Sequence, residues 1–175
     1  MRAVIRAYED ADRAGVMAIE TVYETKTIYE VVVTARRIEL VEQPLPAPRV
    51  KRYSIADAFA SWAQWDTAWV AEVDGKIVGF AAVEFVPWHV RLILWHLYVT
   101  PAQRGQGIAR KLMARVEEHG RERGASHVWL ETSNVNPPGI AAYERLGYAL
   151  CGADVLFYED MPYADERALY FAKKL

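Results

Sequence analysis

The stretch from Trp95 to Arg110, WHLYVTPAQRGQGIAR, constrains the fold more than any other part of the chain. A strand-like run, Leu92 to Val99, enters a loop with glycines at 105 and 107, and a helical pattern leaves it. Gly105 and Gly107 permit positive φ and a close approach of backbone to a ligand. The first turn of the following helix carries unpaired N–H groups and the positive end of the dipole. The arrangement is therefore a ready anion site, most often for phosphate. A Walker loop requires GxxxxGK[ST], which the chain lacks. A dinucleotide fingerprint requires a third small residue where Arg110 stands.

Around this stretch the periodicity predicts an α/β fold. Ala3 to Ala7 reads as a strand, and Asp10 to about Tyr23 as a helix with Ile19, Val22 and Tyr23 on one side. Glu30 to Glu42, rich in β-branched residues, reads as extended. Pro44, Pro46 and Pro48 are expected to break regular structure. Strands follow at Thr67 to Val73 and Ile77 to Val86, joined by the hairpin signal Asp74-Gly75. Another follows at Leu92 to Val99, apolar enough to be buried on both faces. Gly107 to Arg123 is a helix with Ile108, Leu112 and Val116 in step. Ser126 to Thr132 is a strand, Pro137-Pro138 opens a helix ending at Gly147, and Tyr148 to Tyr158 and Ala168 to Ala172 close the chain as strands. The whole reads as one domain, residues 1–175.

Arg104-x-x-Gly107-x-Ala109 matches the Q/R-x-x-G-x-G/A loop of the GNAT acetyltransferases, which resembles their pyrophosphate clamp for acetyl-CoA. Asn136-Pro-Pro-Gly-Ile-Ala-Ala-Tyr143-Glu-Arg-Leu-Gly147-Tyr148 resembles the family's later motif, N…A…YEKLGF, with Gly139 where an alanine is common. The likeness covers about residues 67–172. Leu130-Glu-Thr, CGADVLFYED and DERALYFAKK are similar to the streptothricin acetyltransferase branch, and ELVEQPLPAP echoes it more weakly.

The resemblance implies a mixed, mostly antiparallel central sheet with splayed middle strands and flanking helices. It implies that acetyl-CoA, as co-substrate, lies along main-chain groups of Leu97, Tyr98 and Val99, with its pyrophosphate on the backbone of Arg104, Gly105, Gln106, Gly107, Ile108, Ala109 and Arg110. Asn136 and Tyr143 complete the cofactor-binding set. Direct attack of an amine on the thioester then needs a base, N–H donors for the developing oxyanion, and an acid for the leaving thiolate. Tyr143 is the expected acid. Glu131 is the expected base or holder of a relay water, and it serves equally well as a residue that only orients its loop. His96 is the second choice, since a lone histidine on an apolar strand is usually a core residue; period two places it with Leu94 and Tyr98, opposite Leu97 and Val99. Glu84 is a third candidate, or an acid of the acceptor site, where Trp88 and Trp95 offer aromatic faces to a cation.

Composition excludes several other functions. Among 175 residues, 21 Lys and Arg face 23 Asp and Glu, a net charge of −2. That balance argues against a chain held on nucleic acid by bulk charge. The longest apolar stretch, Ile77 to Val83, is far too short to span a bilayer, and no signal peptide is visible. Cys151 is the single cysteine, so no internal disulfide forms, which fits the cytoplasm. The four histidines show no HExxH spacing, and no metal is implied. The first expectation is transfer of acetyl to a primary amine of a small cationic molecule, a streptothricin-like antibiotic included. A protein N-terminal or lysine acetyltransferase comes second, and a non-catalytic acyl-CoA-binding module third. The family also allows a homodimer.

Overall fold

A computed structural model describes residues 3–175. In chain order its elements are β1 (Val4–Ala7), α1 (Arg13–Met17), β2 (Val22–Thr34), β3 (Arg37–Arg52), β4 (Thr67–Val73), β5 (Lys76–Val86), β6 (Arg91–Val99), α2 (Ile108–Glu122), β7 (His127–Ser133), α3 (Pro137–Arg145), β8 (Ala149–Asp154) and β9 (Ala168–Lys174). They form two compact units. The first holds residues 3–22, Arg52–Val128 and Lys174–Leu175; the second holds Tyr23–Lys51 and Trp129–Lys173.

In the first unit the strands run in the order β1-β4-β5-β6, and each neighbouring pair is antiparallel. Asp74 and Gly75 both take positive φ, 50° and 74°. A tight hairpin between right-twisted strands requires that conformation. Helix α2 buries Ile108, Leu112, Met113 and Val116 and packs on β4, β5 and β6. A second core lies around Phe80, which is fully buried among Val16, Ile19, Ala58, Val70 and Ala82. Tyr8, Phe59 and Trp65 surround its ring at centroid distances of 5.8, 6.0 and 5.9 Å. Such edge and tilted contacts add to the area each ring buries.

Three expectations change. The helix predicted from Asp10 to Tyr23 is one 3-10 turn, Asp10–Asp12, and the five residues of α1. From Val22 the alternating VYETKTIY forms a strand, and β-propensity overrides the apolar spacing that suggested a helix. The extended segment Glu30 to Glu42 is a hairpin, turning at Ala35 and Arg36 without positive φ, so no Asn-Gly or Asp-Gly signal marked it. Pro44, Pro46 and Pro48 do not break structure but lie within β3, exposed. Residues two apart point their backbone nitrogens to the same side, so three alternate prolines withhold donors from one edge only. Among the described residues β3 pairs only with β2, so donors missing from its other edge cost no ladder bond. Strand β6 is also buried on one face only, through Leu92, Leu94 and His96, its other face being half-buried.

In the second unit β9 lies between β7 and β8 and pairs antiparallel with β8. The strand predicted to reach Tyr158 ends at Asp154, and residues 155–167 are irregular. Among the described residues no helix is long and apolar enough to cross a membrane.

Replacing Phe80 by alanine empties the centre of the aromatic cluster. It is expected to lower stability by about 3–5 kcal/mol, read as a fall in the urea midpoint with an unchanged slope.

Candidate active site

The loop after β6 is two overlapping turns. Gln103 N–H donates to Thr100 O at 3.0 Å and Arg104 N–H to Pro101 O at 3.2 Å. Gly105 and Gly107 then take φ of 76° and 78°. A β-carbon built on either would meet nothing within 4 Å, so the backbone faces open space. The bond from Lys111 N–H to Gly107 O, 3.1 Å, closes the first turn of α2. The amides of Ile108, Ala109 and Arg110 therefore precede any intrahelical acceptor and point out of the helix end. A diphosphate fits this cradle: open approach, free donors and the positive end of a 15-residue helix. Two side chains of the predicted clamp turn back on the loop. Arg104 Nε donates to Val99 O at 2.9 Å, and Gln106 Nε2 to Ala102 O at 3.4 Å.

The same unit brings two acceptor-site candidates together. The register of β5 and β6 pairs Ala82 with His96 and Val83 with Leu94, so Trp95 is the extra residue of a bulge. Its indole Nε1 donates to Glu84 Oε2 at 3.0 Å. Trp88 stands elsewhere, 83% exposed in the turn Pro87–His89 and against the His89 ring. His96 lies with Leu94 and Tyr98, as period two predicts. Its Nδ1 is 3.3 Å from the Tyr98 hydroxyl, and its Nε2 is buried with no hydrogen-bond partner among the described residues. Burial lowers its pKa to about 4, so the ring is neutral and weakly basic. Burial likewise raises Tyr98 to about 12.

The second unit carries the remaining candidates. Asn136 caps α3: its Oδ1 accepts from Gly139 N–H at 3.1 Å, and its Nδ2 donates to Thr132 Oγ1 at 3.1 Å. A β-carbon at Gly139 would lie 2.3 Å from Asn136 Nδ2, so an alanine there would require the Asn136 side chain to shift. Tyr143, half-buried on α3, sets its ring 6.2 Å from Tyr148 and 6.5 Å from Phe171. Glu131, on β7, accepts from the Tyr158 hydroxyl at 2.5 Å. Burial raises its pKa to about 7, against the lowering effects of the Tyr158 bond and the Lys51 charge.

Sequence reasoning assigned no role to Tyr158, Lys51, Ser133 or Glu166. Glu166 is buried, bridged by the Lys51 ammonium and by Ser133 Oγ at 2.5 Å. No spacing announces these pairs, whose members lie 27 to 115 residues apart. The nearest signal was the quoted tail itself, CGADVLFYED and DERALYFAKK, which contains Tyr158 and Glu166. Among the described residues no group of three His, Cys, Asp or Glu is placed to hold a metal.

Residues 25–148, most of the chain, match the model of the acetyltransferase (GNAT) family. The chain belongs to the GNAT acetyltransferase family. Its mixed α/β fold, with a mostly antiparallel sheet and flanking helices, is the family's, and the chain is an acetyl-CoA-dependent N-acetyltransferase. It is 37% identical over 174 residues to streptothricin acetyltransferase of Streptomyces lavendulae, covering 95% of this chain and 92% of that one, so the branch likeness is borne out. It is similar to the crystal structure of nourseothricin acetyltransferase, with TM-score 0.89, 33% identity and 99% coverage of both chains. A structure described as a candidate streptothricin acetyltransferase from Bacillus anthracis str. Ames, in complex with acetyl coenzyme A, shares the fold with TM-score 0.84 at 22% identity, covering 99% and 100%.

Gly107→Val places a β-branched residue at φ 78°. Such a residue adopts that conformation only under strain. Calorimetric affinity for acetyl-CoA is expected to fall at least tenfold, while circular dichroism still reports the folded chain. Unchanged affinity would remove the loop from the cofactor site.

Proposed function

We propose that this chain transfers the acetyl group of acetyl-CoA to a primary amine of a small cationic molecule, with streptothricin-type antibiotics as the acceptor class. The observation that carries this reading is the end-to-end likeness to streptothricin acetyltransferase, 37% identity across 95% of this chain. The acetyl coenzyme A complex of the Bacillus anthracis fold relative supports the cofactor. Glu84, with the Trp95 indole beside it, suits a cationic acceptor.

In this reading the chain acts as one catalytic domain in the cytoplasm. The amides of Ile108 to Arg110 hold the diphosphate of acetyl-CoA, and main-chain groups of Leu97 to Val99 align its arm as an added strand would be aligned. An ammonium, with an unperturbed pKa of ~10.4, must first lose a proton. Glu131 takes it, directly or through one water. The amine nitrogen bonds to the carbonyl carbon, the carbon–sulfur bond breaks, and the thiolate receives a proton from Tyr143. The nitrogen's second proton passes to the Tyr143 phenolate through water, the amide and free CoA leave, and Glu131 releases its proton to solvent. Glu131 is the better base on this chain, because its carboxyl titrates at about 7 whereas burial holds His96 at about 4.

A thiol-release assay over a panel of streptothricin, smaller diamines and lysine-bearing peptides tests the reading. Streptothricin is expected to give the highest kcat/KM; faster turnover of peptides than of every small amine would overturn it in favour of protein acetylation. Tyr143→Phe is expected to cut kcat by about 10²-fold, with KM for acetyl-CoA unchanged.

A further inference from the structure

Glu131 is surrounded by polar groups from three parts of the second unit. Lys51 of β3 contributes a positive charge, Glu166 a negative one, and Tyr170 of β9 lies within electrostatic reach. Tyr158 touches the carboxylate directly, through its hydroxyl at 2.5 Å. Tyr158 is 8% exposed although it sits in the irregular segment between β8 and β9. That segment is held at both ends. Leu156 N–H donates to Asp154 Oδ1 at 2.9 Å. Arg167 N–H donates to Asn134 Oδ1 at 2.7 Å, and Glu166 is locked by Lys51 and Ser133. Within it, Phe157 and Tyr163 set their rings edge-on to Tyr158, at 4.9 and 5.2 Å.

We propose that Tyr158 is a positioning residue for acetyl transfer: its hydroxyl fixes the Glu131 carboxylate and favours its ionised form, the form that can accept the proton of the acceptor amine. A phenol donating to a buried carboxylate makes a short, directional, charge-assisted hydrogen bond, which fixes where the carboxylate points. The hydroxyl keeps its own proton, because burial and the neighbouring carboxylates raise Tyr158 far above an ordinary tyrosine. It therefore donates to Glu131 across the working pH range. A donor to the charged form lowers a carboxyl pKa. Its loss must move Glu131 upward and leave more of it protonated near neutrality.

This inference rests on Glu131 being the base, and the test separates the two. The pH dependence of kcat/KM is measured with streptothricin for the native chain, Tyr158→Phe and Glu131→Gln, and the 13C titration of the Glu131 carboxyl is followed by NMR without acceptor. Tyr158→Phe is expected to raise the acid limb and the NMR midpoint by about one pH unit. That shift means a roughly tenfold loss below the limb and nearly native rates above it. Glu131→Gln is expected to lower the rate and erase the limb. If Glu131→Gln erases the limb but Tyr158→Phe moves neither limb nor midpoint, the positioning role is overturned and the base stands. If the limb survives Glu131→Gln, both are overturned. Should Tyr158→Phe fail to fold, 3-fluorotyrosine at position 158 keeps the ring and sharpens the donor. It must then lower the midpoint, and an unmoved midpoint overturns the role.

Discussion

At Gly107 the backbone takes φ 78°, and in that one residue a loop becomes helix α2. Everything the first unit offers an anion depends on this turn. It ends the loop, exposes the amides of Ile108 to Arg110, and aims the helix axis at whatever they bind. The helix is fixed in turn by Leu112, Met113 and Val116 against the sheet, so the donors are held by the core rather than by flexible side chains. A cluster of lysines is not needed for a cofactor rich in phosphate, and a chain with net charge −2 can bind one.

The second unit solves a different physical problem. Glu131, Glu166, Lys51 and Tyr158 are ionisable groups withdrawn from water, each satisfied by a partner from a distant part of the sequence. Burying a charge pair is close to neutral for stability, whereas removing one member is costly. The buried pair of Lys51 with Glu166 therefore ties the irregular segment before β9 to β3, with the exposed pair of Arg49 and Asp165 beside it.

Where the sequence could be read, the cause was local. Asp74-Gly75 had to turn, Leu92 to Val99 had to be a strand, and Arg104 to Ala109 had to present backbone, because each rule acts within a few residues. The helix expected at Asp10 failed because apolar spacing there suits either period, and the β-branched residues from Thr21 decided for a strand. The hairpin at Ala35-Arg36 was hidden because neither residue needs positive φ. Glu131 was legible from its place at the end of a strand in a motif. Its partner was not: Tyr158 reaches it from an irregular segment, and no pattern in CGADVLFYED distinguishes that tyrosine from a packed one. Asn136 was expected to bind the cofactor, and what the structure shows of it is a cap on α3, with its side chain close against Gly139.

The prolines of β3 have a consequence for the chain in company. The edge of a two-stranded ribbon is a template on which a strand from another molecule can grow, and while Tyr29 of β2 exchanges hydrogen bonds with Asn134 on one side, β3 forms the other. Along one edge of β3, positions 44, 46 and 48 offer rings in place of N–H groups. A strand approaching from that side finds acceptors but few donors and cannot zip into register. The ribbon thus carries its own guard against aggregation, written as a proline at every second residue.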